Sequence, residues 1–519
     1  MEIKKTNVHI EQVKECIASQ FVLEQDINLS ETRPDMASIC MRRAQLVVEE
    51  IRPYTDVVQV KGNLEYAILY QTEGDGCKLE RLEGALPFEE TIHMQGVSAG
   101  DTVKADSVVE DFSVSVINSR KLSVQSVITM NVCTKELGSV EFPTDMAGLE
   151  NYEYRQAMSD VTQLALSKND IFRMKQEKKL TGEYPNIHNI LWQSGRISEL
   201  DTRPMADKLM IQGELVLFVL YECEGENHEV RFYECTIPFS GNLECMGMDS
   251  DMTADVRWKM GSFQLSVKPD EDGEERVLQL DMSLQLEIKA YKEMQLRYIG
   301  DLYSVKSQVT LETEKKNIPR LLARVTGKYK MTEQMDTGIL PGTILQLLHS
   351  EGNVHIDRVE SVAEGTLVSG SVSVQILCVT GDDVQPYEML EKVIPYSYVL
   401  ECGDMAGMPV PEVTAELEKL EVSLADDGQV ALKAVISFYM IAFGNEEVNL
   451  VKSITESEID REELMRLPGM AIFVAGKGDT LWDIGKKYYI SVDMLQQINE
   501  LESRELTEGQ RLLVVKQGM

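Results

Sequence analysis

Val60-Lys61-Gly62-Asn63-Leu64-Glu65-Tyr66-Ala67-Ile68-Leu69-Tyr70 returns in changed lettering as Ile211-Gln212-Gly213-Glu214-Leu215-Val216-Leu217-Phe218-Val219-Leu220-Tyr221. It returns again as Val368-Ser369-Gly370-Ser371-Val372-Ser373-Val374-Gln375-Ile376-Leu377-Cys378. Each copy is followed by an apolar-Pro-aromatic step: Leu86-Pro87-Phe88, Ile237-Pro238-Phe239 and Ile394-Pro395-Tyr396. The glycine and the proline are 25 residues apart in all three. An earlier proline (Pro34, Pro185, Pro341) marks each copy as well, so the repeating unit is about 150 residues, the size of a domain rather than of a solenoid repeat.

Within the units the apolar period is 2, as in Phe112-Ser113-Val114-Ser115-Val116 and in Leu278-Gln279-Leu280-Asp281-Met282. That period belongs to strands buried on one face. Turn signals at Gly74-Asp75-Gly76, Asp272-Gly273 and Asp427-Gly428 separate the runs, and such dipeptides supply the positive φ that hairpins need. Hairpin-linked, half-buried strands make antiparallel sheets. The expected fold is mainly β: three tandem antiparallel β-sandwich-like repeats, each with one short helix after its early proline, at residues 36–44, 187–192 and 343–349. The glycine opening each central strand reads as a bulge or a point of close backbone approach. Residues 143–148 and 460–464 lack the strand pattern and read as boundaries. The expected divisions are 1–148, 149–298, 299–465 and a distinct tail, 466–519.

The 519 residues carry 86 Asp+Glu against 51 Lys+Arg, a net charge of −35, with 43% hydrophobic residues. That apolar fraction supports folded domains, and the acidity disfavours nucleic acid and anionic membrane surfaces, which need clustered cations. The first 20 residues lack the apolar stretch of an export signal, and no run approaches the roughly 18 apolar residues of a membrane-spanning helix. The chain is expected to remain in the cytosol. Nine scattered cysteines with no C-x-x-C pair read as reduced, buried thiols rather than a disulfide or zinc framework.

Catalytic constellations fail one by one. There is no H-E-x-x-H, no phosphate-binding glycine loop and no G-x-S-x-G. His349 and His355 are expected on different elements, and His188, near Trp192, is the best placed of the six histidines, with a packing or surface role. The acidic run Asp270-Glu271-Asp272-Gly273-Glu274-Glu275 lacks the 12-residue calcium loop and reads as a hairpin tip. No cofactor, metal site or enzyme activity is expected.

The tail is different in kind. Phe473-Val474-Ala475-Gly476-Lys477-Gly478-Asp479-Thr480-Leu481-Trp482-Asp483-Ile484 begins it and Leu506-Thr507-Glu508-Gly509-Gln510-Arg511-Leu512-Leu513-Val514 closes it. Asp479 or Thr480 can cap a helix carrying Leu481, Ile484 and Tyr488, and Ser491 a second one carrying Leu495 and Ile498. The order is β-α-α-β, and residues 470–519 hold 6 basic and 7 acidic residues, so the acidity belongs to the repeats. This tail resembles a LysM module, the family that binds glycans containing N-acetylglucosamine. The resemblance implies a groove between Gly478, Asp479, Thr480 and Leu481 on one side and Asn499, Leu501 and Glu502 on the other. Trp482 reads as a core anchor or as a stacking platform at that site. Gly485 stands where the family commonly has Ala, a change that weakens the first helix by under about 1 kcal/mol.

Three such repeats followed by one LysM module resemble the SPOCS-domain proteins of endospore-forming Firmicutes, of the SipL type; the run Asp301-Leu302-Tyr303-Ser304-Val305-Lys306 adds to that resemblance. It implies a spore coat morphogenetic scaffold, made in the mother-cell cytoplasm and deposited at the forespore surface. The implied partners are a coat ATPase of the SpoIVA type and other coat proteins, with the LysM module as docking site; self-association of the repeats is compatible with this. The alternative is a wall or cortex anchor binding peptidoglycan glycan chains.

Overall fold

The computed structural model describes residues 2–74, 78–147, 151–225, 229–336, 343–405, 407–425, 429–459 and 469–515. Each repeat consists of two three-stranded antiparallel sheets. In the first repeat, β1 (Glu2–Asn28), β6 (Lys121–Ala147) and β5 (Thr102–Asn118) form one sheet, in the order β1-β6-β5. The other is the meander β2 (Met36–Tyr54), β3 (Val57–Thr72) and β4 (Leu79–His93). The second repeat follows the same plan with β7 (Tyr152–Lys179), β12 (Glu275–Ser304) and β11 (Thr253–Pro269), facing β8 (Ile187–Met205), β9 (Lys208–Cys223) and β10 (Val230–Glu244). The third uses β13 (Gln308–Met335), β18 (Val430–Ser457) and β17 (Glu412–Leu424), facing β14 (Ile344–Val362), β15 (Gly365–Thr380) and β16 (Tyr387–Glu401). The three tandem β-sandwich-like repeats are therefore as expected. β12 runs unbroken across residues 298 and 299 to Ser304.

The repeated glycine and aromatic residue are partners across one ladder. Gly62 lies opposite Phe88, Gly213 opposite Phe239 and Gly370 opposite Tyr396. A Cβ on Gly62 would sit 2.1 Å from the Val47 carbonyl and 2.9 Å from the Phe88 ring; on Gly370 it would sit 2.0 Å from the His355 carbonyl. The ring thus covers a backbone that must approach closely, and the invariant spacing is the register of one hairpin. The proline beside each aromatic lies in β4, β10 or β16, edge strands where a missing N–H is tolerated.

The short helices expected after the early prolines are absent from the described residues; β2, β8 and β14 occupy those places. Each opens with two register shifts, at Met36/Ser38 and Ile39/Met41, at Ile187/Asn189 and Ile190/Trp192, and at Ile344/Gln346 and Leu347/His349. Such bulges break the alternation of a strand. Burial then falls on Met36, Cys40 and Met41, and on Ile187, Leu191 and Trp192, a four-then-one spacing that imitates a helix. Residues 143–147, read as a boundary, are the end of β6, where Pro143 lies opposite Lys5 beside a bulge. Asp427-Gly428 and residues 460–464 lie outside the described residues. At the Asp272-Gly273 turn, Gly273 has φ +85°, and the Asp270 carboxylate accepts from the Asp272 and Glu274 amides, so the acidic run is a hairpin tip.

The cysteine expectation needs one correction. Cys16 and Cys133 lie directly opposite each other on β1 and β6 and form a disulfide. The pairing of a repeat's first strand with its last brings together residues 117 apart, which spacing along the chain does not reveal. Cys40, Cys223, Cys235, Cys245, Cys378 and Cys402 are free, and burial pushes the Cys40 and Cys378 thiols up to about 12. Cys77 lies outside the described residues.

The three repeats close on one another. β1 packs against β7, β7 against β13, and β18 against β6. Leu69, Leu220 and Leu377 occupy the same position in successive repeats and share one buried cluster with Cys40, Leu191 and Leu348, again equivalent residues. Ile10, Val161 and Ile318 do the same in a second shared cluster. Equivalent residues meeting at common points make an approximate threefold arrangement, so the repeats form one body.

Its first cluster carries a polar centre contributed by all three repeats. Trp192 donates its indole N–H to Glu351 Oε1 at 2.7 Å, His349 Nε2 lies 3.1 Å from the same oxygen, and Arg43 lies 3.5 Å away. The His349 ring stacks on Phe218 at 3.6 Å. His349 and His355 both lie on β14, contrary to expectation, and His349 enters this network, while His188 lies at the surface. Burial alone would raise the Glu351 pKa, but Arg43 and the His349 hydrogen bond outweigh it and hold the carboxyl at about 2. Only 20% of the side chain is accessible. The drop from the ordinary 4.5 corresponds to about 3 kcal/mol. A depressed carboxylate stabilises above its unfolded-state pKa, so this contribution is complete above pH 4.5 and is lost as pH falls toward 2. Urea unfolding at pH 7 and pH 3 should show a larger stability loss for wild type than for Glu351→Gln; equal losses would remove Glu351 from the acid response.

Candidate functional site

The tail builds a small module from β19 (Met470–Val474), α1 (Leu481–Tyr488), α2 (Val492–Ile498) and β20 (Arg511–Val515), with β19 and β20 antiparallel. Gly478 takes φ +91° in the turn before α1. Thr480 is the N-cap, its Oγ1 accepting from the Asp483 amide at 3.2 Å, while Asp479 instead accepts from the Gly476 amide at 2.8 Å. Ser491 caps α2 through the Met494 amide. Leu481, Ile484, Leu495, Leu512 and Val514 form the core.

The segment that leads into the first loop starts beside the end of the segment that follows α2. The Ala475 amide donates to the Gln510 carbonyl at 2.9 Å and the Gly509 amide donates back at 2.8 Å, so the chain leaving β19 and the chain entering β20 run side by side. Of the eight residues expected at the site, Gly478, Thr480 and Glu502 are exposed, and Asp479 and Leu501 are half-buried. Leu481 is 2% exposed and belongs to the core. Asn499 is a clamp: its Nδ2 donates to the Leu495 and Leu513 carbonyls at 2.8 and 2.9 Å, and its Oδ1 accepts from the Leu513 amide. It fixes the end of α2 to β20 and leaves the loop of Leu501 and Glu502 at the surface.

Trp482 is half-buried and packs against the module's core, and its remaining surface is not a free platform. Its indole N–H donates to Asp301 Oδ2 at 2.8 Å, and its ring meets Tyr303 edge to face at 4.9 Å. The Arg155 guanidinium lies 5.7 Å from the ring centre. Lys486 completes the contact at 2.6 Å from Asp301 Oδ1. Tyr303, 3% exposed, donates its hydroxyl to the Ile490 carbonyl at 2.7 Å. Arg155, Asp301 and Tyr303 belong to β7 and β12, so the module is seated on the second repeat.

That seat explains Gly485. A Cβ there would lie 2.5 Å from the Tyr303 hydroxyl and 2.7 Å from the Ile490 carbonyl, the two ends of one hydrogen bond. Glycine at this position makes room for the bond that joins module to repeat. The sequence reading missed Arg155, Asp301 and Tyr303 as contact residues; the departure at Gly485 was the signal that could have pointed to them.

Between the sandwiches lies a cavity of about 2070 Å³ with a mixed polar and apolar lining from all three repeats. An ion-pair belt borders it. Lys289 lies 2.6 Å from Glu11 and Lys104 lies 2.7 Å from Glu287; Lys259 pairs with Asp106 at 3.0 Å, and Arg257 pairs with Glu412. Burial would lower the Lys289 pKa, but Glu11 and Glu287 outweigh it and raise it. Among the described residues no group of three His, Cys, Asp or Glu side chains is gathered as metal ligands, and no helix is long and apolar enough to cross a membrane.

Residues 23–117, 186–268 and 343–425 match the SipL, SPOCS domain family, and residues 474–515 match the LysM domain. No curated protein and no solved structure matches the chain. The SPOCS matches mark a sporulation protein, the LysM match marks a peptidoglycan-binding module, and neither family is catalytic. Over half of the residues fall within the three SPOCS matches, and the chain belongs to the SipL SPOCS-domain family, with a LysM domain at its C-terminal end.

Proposed function

We propose that the protein is a non-catalytic spore coat morphogenetic scaffold that docks on a basal coat protein at the forespore surface through its LysM module. The observation that carries this reading is the pairing of a closed, three-repeat β body with a single module whose loops at Gly478, Thr480 and Glu502 face outward. A rigid body that bears one outward recognition surface positions a partner and needs no chemistry of its own. The docking partner is a coat ATPase of the SpoIVA type, with other coat proteins assembling on the repeats. Synthesis is in the mother-cell cytoplasm and the destination is the forespore surface. The Cys16–Cys133 disulfide fits that final place in the coat, since reducing cytosol disfavours such bonds.

The LysM match itself favours a second reading, an anchor on peptidoglycan glycan chains. Titration of the full chain, and of a chain ending before residue 466, against the purified ATPase and against soluble peptidoglycan oligomers separates the two. Saturable binding to the ATPase that disappears with the module is the expected result. Binding to glycan alone would replace the scaffold reading with the anchor.

A further inference from the structure

We propose that Arg155, Asp301 and Tyr303 form a latch that holds the LysM module on the second repeat and withholds the Trp482 ring from an external glycan. The proposal rests on the second reading above, in which the module binds glycan. A sugar recognised by tryptophan stacks its apolar face on the indole and needs one face and its approach free. Here the guanidinium of Arg155 stands over the Trp482 ring, the Tyr303 ring meets it edge to face, and the indole N–H is committed to Asp301.

The seat is built for this contact rather than touched in passing. Asp301 uses both carboxylate oxygens on the module, one on Trp482 and the other on Lys486. Charge-assisted hydrogen bonds of this kind are about twice as strong as neutral ones. Tyr303 spans to the backbone of the loop between α1 and α2, and Gly485 leaves the space for it. Meanwhile Gly478, Thr480 and Glu502 stay outside the seat and exposed. A glycan can therefore meet the loops in the closed state but reaches Trp482 only when the module lifts. Apparent affinity is then the open-state affinity reduced by the fraction of open molecules.

The test uses the full chain carrying Trp258→Phe, which leaves Trp482 and the buried Trp192 as its tryptophans. Acrylamide quenching reports exposure of Trp482, and titration with a β-1,4-linked N-acetylglucosamine hexamer reports glycan affinity. Asp301→Ala should raise quenching and tighten hexamer binding by at least about tenfold. Tyr303→Phe keeps the ring but removes the hydroxyl, and should fall between wild type and Asp301→Ala even if that variant folds poorly. Unchanged quenching in both variants would overturn the latch. Raised quenching with unchanged hexamer affinity would overturn its control of glycan access. Raised quenching with no hexamer binding in any variant would overturn the glycan reading of the module and leave the seat as a purely structural contact.

Discussion

Replacing Trp192 by alanine is expected to lower the unfolding free energy by about 3–5 kcal/mol, the usual range for a large aromatic side chain removed from a core. Trp192 is 1% exposed and sits where all three repeats meet, beside Leu191, Leu220, Leu348 and Leu377. Its removal opens a void that rigid strands from three sandwiches cannot fill by moving together. It also takes a hydrogen bond from Glu351, whose carboxylate is then held by Arg43 and His349 alone. Urea unfolding followed by tyrosine fluorescence and by far-ultraviolet circular dichroism measures the effect. Because this cluster is common property of the repeats, the two signals should shift together to lower urea. A wild-type midpoint retained by either signal would show that the repeats do not depend on the shared core.

Arg257→Met should cost about 3 kcal/mol, because it leaves the buried Asp255 carboxylate without its cation, while the exposed Glu412 can turn to solvent. Arg257 pairs with Glu412 of the third repeat and lies 3.6 Å from Asp255, which is 5% exposed. Burial would lower its pKa, yet Glu412, Asp255 and Glu287 together raise it, so the guanidinium is the site's fixed positive charge. The same argument predicts rescue. Asp255→Asn in the Arg257→Met background should recover part of the loss, since the desolvated charge is gone, and the two substitutions should be strongly non-additive in a double-mutant cycle. Strict additivity in urea unfolding would mean that the belt is solvated and contributes little.

Much of this fold was legible in residue order. The 25-residue step from Gly62 to Pro87, and its two copies, is the register of one hairpin, and the period-2 runs lie where strands form. The module after residue 469 was legible for the same reason: caps such as Thr480 and Ser491 act on amides three residues away. Where local reading failed, a bulge had altered a local pattern, as at Met36, Cys40 and Met41, or a distant strand had arrived, as at Cys16 and Cys133. Of the site residues, Gly478, Thr480 and Glu502 have the exposure a groove needs, whereas Asn499 and Leu481 serve the module's own fold.

By itself, the sequence determined three β repeats, their turns, their acidity and the LysM tail, because each is written in residues a few positions apart. Tertiary structure alone decided that the repeats close around shared clusters and that Trp482 faces Asp301 instead of solvent. Those contacts join residues 150 or more positions apart, such as Leu69 with Leu220 and Asp301 with Trp482. No local periodicity encodes such a meeting, since it depends on how whole sheets pack once each has buried its own apolar face.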